Sequence, residues 1–164
     1  MNDIERLLAR LIDHEVDFVV IGGFAAVAYG SSVRTQDLDV CTDFSPENLL
    51  RLQQALAEVH PVHRTHPRRP PLVLTPEGAR GWKNLYLDTD EGQLDCLSEV
   101  LAIGSYQAVR EHSVEIRPPA GRCRILSLDA LIRSKEALDR PRDREAVLQL
   151  KAIRERLDQQ GSSS

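Results

Sequence analysis

Apolar and polar positions along the chain follow two periods. Leu7, Leu8, Leu11 and Ile12 recur at helical spacing within "MNDIERLLARLIDHE", which predicts a helix over residues 2–14 with one apolar stripe. "VDFVVIGG" (16–23) is a β-branched run ending in two glycines, the pattern of a strand entering a tight turn. A short helix is predicted over "FAAVAY" (24–29) with Gly30 as its stop, and a second strand over "DLDVCT" (37–42). Ser45-Pro46 opens a helix reaching about Val59, because the serine hydroxyl caps and proline suits the first helical position. "WKNLYLDT" (82–89) and "GQLDCLSE" (92–99) read as a hairpin around Asp90, Glu91 and Gly92. "SYQAVREH" (105–112) reads as a short helix and "VEIRPPAGRCRIL" (114–126) as two short strands. Ser127 and Pro141 then open two C-terminal helices. Residues 60–81, including "HPVHRTHPRRPP", show neither period and read as a mobile loop. This order predicts an α+β fold: a mixed central sheet flanked by helices, with helices at the C-terminal end. Residues 1–160 are expected to form one domain and residues 161–164 a flexible tail.

Composition narrows the function classes. A chain of 164 residues, 41% hydrophobic and 28% charged, can bury one core and is not a disordered polyelectrolyte. Its net charge of −4 argues against nucleic-acid binding by global charge and leaves room for a local basic groove. No apolar run approaches the roughly 18–20 residues of a membrane span, and charges interrupt the N-terminal helix throughout, unlike a signal peptide. Cys41, Cys96 and Cys123 are far apart and form no C-x-x-C motif. Free thiols in a reducing cytoplasm are the expectation.

The chemistry concentrates in "RTQDLDV" (34–40). Residues two apart on a strand share a face, so Asp37 and Asp39 project together. They repel unless a cation joins them or one holds a proton. Hard carboxylate oxygens suit Mg²⁺. Asp95 lies in an apolar strand, where a carboxylate is costly without a partner. It would complete a cluster able to bridge two Mg²⁺ ions roughly 3.5–4 Å apart. Pro61 and Pro67 break any helix that would carry His60, His63 and His66, and no cysteine sits nearby, so a flexible histidine-rich loop is favoured over a metal site. Arg64, Arg68 and Arg69 in that loop could track a phosphate backbone, cover a triphosphate, or only keep the loop solvated. Neither a phosphate-binding G-x-x-x-x-G-K-[ST] loop nor a nucleophile elbow is present.

A strand ending in Gly-Gly ("VVIGG"), a short helix ("FAAVAYG"), an Asp-x-Asp strand ("DLD") and a later lone Asp ("LDC") together resemble the nucleotidyltransferase superfamily, with its polymerase-beta-like core. "RTQDLDV" is similar to the form found in the AbiE-type toxin branch and its uncharacterised relatives. "LIRSKEALDRPRDREAV" in the C-terminal part resembles that branch too. The resemblance implies transfer of a nucleoside monophosphate from an NTP to a hydroxyl or phosphate acceptor. It implies that Asp37 and Asp39 hold two Mg²⁺ ions, or Mn²⁺, with Asp95 as third ligand and activator of the acceptor. Gly22 and Gly23 would let the backbone approach the triphosphate, Arg34, Thr35 and Lys135 would contact phosphates, and Asp143 would orient Lys135 or Arg34. It leaves the acceptor open between tRNA and a small molecule, and suggests an antitoxin protein as a partner. The alternative is a catalytically degenerate nucleotide- or partner-binding module of the same fold.

Overall fold

A computed structural model gives the fold of the chain and describes residues 1–162. Helix α1 (Asp3–Asp13) starts at a capping box: Asn2 accepts from the Glu5 amide at 2.9 Å, and Glu5 accepts from the Asn2 amide at 3.0 Å. Its stripe of Leu7, Leu8 and Leu11 is fully buried. Strand β1 (Phe18–Ile21) runs directly into α2 (Gly22–Ala28), so the Gly-Gly pair forms the first turn of a helix and no separate turn intervenes. Strand β2 (Asp37–Thr42) follows, then α3 (Pro46–Leu56), whose Ser45 hydroxyl caps the Asn48 amide at 3.3 Å, and a 3₁₀ turn (Ala57–Val59).

Strands β3 (Val62–His63), β4 (Asn84–Thr89) and β5 (Gly92–Leu97) form the next part of the sheet. A small ribbon of β6 (Glu99–Val100) and β7 (Gly104–Ser105) leads to α4 (Tyr106–Glu111). Strands β8 (Ser113–Ile116) and β9 (Cys123–Leu126) precede α5 (Leu128–Leu138) and α6 (Pro141–Ser162). Gly161 and Ser162 are the last residues of α6; Ser163 and Ser164, the end of the expected tail, lie outside the described residues. No helix among the described residues is long and apolar enough to cross a membrane.

The main sheet has the order β3-β4-β5-β2-β1-β9-β8. It is mixed: β2 pairs parallel with β5 and β1 with β9, and the other pairings are antiparallel. The alternation of the sequence decides the two faces. Leu38 and Val40 of β2, Leu85 and Leu87 of β4, and Leu94 and Cys96 of β5 are essentially inaccessible. α1 packs on this part of the sheet and on α3. The opposite face carries the polar residues of β2, β4 and β5, and α2 packs against β1 and β2. All three cysteines are free and buried. Burial pushes the Cys41 and Cys96 thiols up to about 12, so neither is poised as a nucleophile.

The segment after α3 departs from the expected loop. The His63 amide donates to the Pro70 carbonyl, the Leu72 amide to Pro61 and the Arg64 amide to Tyr86, at 2.8–2.9 Å. Leu72, Leu74 and Ala79 are buried. The prolines and arginines hide this from the sequence, because the anchoring residues are few and each is isolated among polar neighbours.

Asn48 holds the entry of β1 to the exit of β2. It is fully buried; its Oδ1 accepts from the Asp17 amide at 2.7 Å, and its Nδ2 donates to the carbonyls of Asp17 at 3.0 Å and Asp43 at 2.7 Å. Asn48→Ala leaves one buried amide and two carbonyls without this partner. It is expected to cost about 2–4 kcal/mol, read as a lower urea midpoint at unchanged slope.

Candidate active site

The parallel pairing of β2 with β5 puts Asp39 beside Asp95, and Asp37 beside Gln93. On the far side of β5, Tyr86 of β4 lies opposite Asp95. Three carboxylates therefore share one face at the centre of the sheet. They open into a cavity of about 710 Å³ bounded by the sheet, the start of α2, the 33–36 segment and the α5–α6 junction. Gly22, Gly23, Arg34, Thr35, Asp37, Asp39, Asp95, Lys135 and Asp143, dispersed in sequence, all line it.

Asp39 bears the greatest electrostatic load. Burial, then Asp95 and Asp37, raise its carboxyl to about 6, against the partial relief of Lys135 and Arg142. Asp95 is raised by burial too, with Asp37 and Asp88 adding to the effect and Arg64 opposing it. Gln93, with its amide nitrogen turned toward Asp37, donates to both oxygens of that carboxylate, at 3.0 and 3.2 Å.

The glycines have a local reason that the sequence only hinted at. Gly22 has φ +68°, and a Cβ there would overlap the Asp39 carboxylate. At Gly23 a Cβ would come within 2.9 Å of the Thr35 hydroxyl. Thr35 donates to the Asp37 carbonyl at 3.1 Å, so it secures the entry to β2. Arg34 is exposed at the cavity wall.

A cationic group faces the carboxylates from the α5–α6 junction. Lys135 is buried, with Nζ 3.8 Å from Asp143. Asp143, only 1% exposed, accepts from Arg140 Nε at 2.5 Å and Nη2 at 3.1 Å. Asp143 thus lies beside Lys135, while its hydrogen bonds go to Arg140. Burial depresses the Lys135 ammonium, and Arg140 and Arg142 add to this, against Asp143 and Asp39. Burial would raise Asp143, but its bonds to Arg140 and the nearby Lys135 outweigh it and hold the carboxyl below its usual range.

Arg140 and Arg142 line the cavity and were not among the residues expected there. Their signal was the charge run "DRPRDREAV" at a helix start, close after Lys135. Arg64, expected only as a loop cation that could track a phosphate backbone, cover a triphosphate or keep the loop solvated, hydrogen-bonds Asp95 through Nη2. Among the described residues, no three His, Cys, Asp or Glu side chains converge as a ready metal cage, His60, His63 and His66 included. The oxygen donors of Asp37 and Asp39, on one face and raised in energy by mutual repulsion, do fit a hard divalent cation.

Two variants test this electrostatic picture. The native Asp39 carboxyl titrates near 6, above its unfolded value near 3.8, so the native state binds more protons between those limits. Without divalent cations, stability must then fall as pH rises from about 4 to about 6 and stay lowered above it. Asp39→Asn removes this penalty. It is expected to stabilise the protein at pH 8 by up to about 3 kcal/mol, with the gain gone below about pH 4, in urea titrations with chelator present. Gly22→Ala combines a positive φ with the overlap on Asp39 and is expected to cost roughly 1–3 kcal/mol in the same titrations.

No family model and no curated protein matches the sequence. Solved structures do match the fold. The lincomycin-bound lincosamide antibiotic adenylyltransferase LnuA aligns over 92% of this chain and 96% of its own, with TM-score 0.65 and 16% identity. The antibiotic-resistance factor ANT(2'')-Ia aligns over 98% and 92%, with TM-score 0.54 and 13% identity. TM1012 of Thermotoga maritima, a candidate nucleotidyltransferase, aligns over 93% and 89%, with TM-score 0.54 and 16% identity. The mixed seven-stranded sheet, its flanking helices and its C-terminal helices are the nucleotidyltransferase fold.

Proposed function

We propose that the protein is a metal-dependent nucleotidyltransferase that moves a nucleoside monophosphate from an NTP to the hydroxyl of a small molecule. One observation carries the reading: Asp37, Asp39 and Asp95 on the sheet face Lys135, Arg140 and Arg142 across a single cavity of about 710 Å³. The cationic wall suits the triphosphate. Gly22 and Gly23 keep the floor free of side chains beside Asp39. Asp37 and Asp39 would hold Mg²⁺, which when bound neutralises triphosphate charge and polarises the α-phosphate. Asp95 lies on the β5 side of Asp39, toward Tyr86 and Leu97, where the acceptor hydroxyl would enter. Its carboxylate takes the hydroxyl proton as the acceptor oxygen bonds to the α-phosphorus and pyrophosphate departs. Lys135 and Arg140, tethered through Asp143, position the departing group and neutralise its charge.

A small acceptor is preferred to tRNA for two reasons. Two structures of this fold are of antibiotic-directed proteins, one with lincomycin bound. The acceptor side of the cavity also presents Leu97, Val100 and Leu101 among its polar groups, an apolar floor suited to a compact molecule. The toxin role and the antitoxin partner suggested by sequence resemblance would follow only from an RNA acceptor.

Thermal melting with each NTP, with and without Mg²⁺, tests the donor side. Ligand at about 100 times its Kd adds about 2.7 kcal/mol, which for a domain of this size raises the midpoint by roughly 5–10 °C. One NTP is expected to give such a shift with Mg²⁺ and none after Asp37→Ala. No Mg²⁺-dependent shift with any NTP would point to the degenerate binding module. Transfer of label from α-phosphate-labelled NTP to hydroxylated small molecules, set against transfer to total tRNA, decides the acceptor.

A further inference from the structure

Arg64 comes from the irregular segment after α3, yet its guanidinium ends on the catalytic face. Nη2 hydrogen-bonds Asp95 Oδ1, and Nε lies 3.8 Å from Asp88. Its Cζ is 5.9 Å from the ring centroid of Tyr86, the cross-strand neighbour of Asp95. The backbone is fixed as well: the Arg64 amide donates to the Tyr86 carbonyl at 2.8 Å. Arg69, itself 2.5 Å from Asp88, reaches the Arg64 carbonyl. The two charged side chains are only 24% and 21% exposed. This ion pair is costly to break, because Asp95 is then left largely buried without a counter-cation.

A carboxylate joined to a guanidinium has its charge compensated, and a metal must compete with that bond. This agrees with the absence of a three-carboxylate cage among the described residues. Asp39, on the same face as Asp37 and Asp95, has no such cation within hydrogen-bonding distance among the described residues. We propose that Arg64 is the resident counter-cation of Asp95, so that the site takes one divalent cation, at Asp37 and Asp39, rather than two. Arg64 is then a positioning residue: it holds Asp95 away from the metal and leaves the second carboxylate oxygen to the acceptor hydroxyl. This rests on the assignment of Asp37 and Asp39 as the metal ligands.

The test counts Mn²⁺ bound per chain at pH 8 without nucleotide, from the free Mn²⁺ resonance signal and from calorimetry. The intact protein is expected to bind one ion. Arg64→Gln, which frees Asp95, is expected to bind two, and Arg64→Lys, which keeps a cation there, one. Cooperative melting of both variants confirms that they are folded. Two ions on the intact protein, a count that needs no variant, overturns the role of Arg64 and leaves Asp37 and Asp39 as ligands. One ion on both the intact protein and Arg64→Gln does the same. No ion on the intact protein overturns this inference, and together with no Mg²⁺-dependent NTP shift in the melting test it overturns the metal assignment as well.

Discussion

The register of β2 against β5 is the constraint on which the site depends. Parallel pairing aligns Asp39 with Asp95, and the two-residue period of β2 adds Asp37 to the same face. A slip of one residue would turn these carboxylates into the core and expose Leu38 and Val40. The register is held because the opposite face cannot tolerate that exchange: Leu38, Val40, Leu94 and Cys96 are all fully buried. The apolar layer thus fixes the fold and at the same time forces like charges together on the other side.

That crowding explains the composition of the surrounding walls. The raised Asp39 carboxyl is the residual strain after Lys135 and Arg142 have acted on it. Asp143 has the inverse task. Buried at the head of α6, it gathers Arg140 and Lys135 beside the cavity rather than letting them disperse into solvent. A carboxylate behind the cations and cations opposite the carboxylates give a layered arrangement in which each charge meets the opposite sign.

Much of this was legible from local patterns. The strands and helices around the site followed from periodicity, caps and the Ser45-Pro46 and Pro141 starts, all short-range signals. Gly22, Gly23, Asp37, Asp39, Asp95 and Lys135, the residues picked out by the motif resemblance, line one cavity. What escaped was long-range. Arg64 and Asp95 are 31 residues apart and meet only because β3 and β4 extend the sheet past β5. Nothing in "HPVHRTHPRRPP" distinguishes Arg64 from Arg68 or Arg69. The clash that reserves Gly22 for glycine comes from Asp39, on the neighbouring strand.

Charge balance in the cavity supports the proposed chemistry independently of any motif. Its lining contains five cationic side chains, Arg34, Lys83, Lys135, Arg140 and Arg142, and five carboxylates, Asp37, Asp39, Asp95, Glu99 and Asp143. The lining is therefore close to neutral above the Asp39 titration. A triphosphate entering it adds several negative charges that the α5–α6 cations, already engaged with Asp143 and Asp39, offset only in part. The surplus falls beside Asp37 and Asp39, at the place where repulsion is already greatest. A divalent cation would relieve both the carboxylates and the phosphates at once, so on the proposed function nucleotide and metal would each favour the other's binding. On the proposed function, the same carboxylate repulsion would be what couples donor binding to the metal.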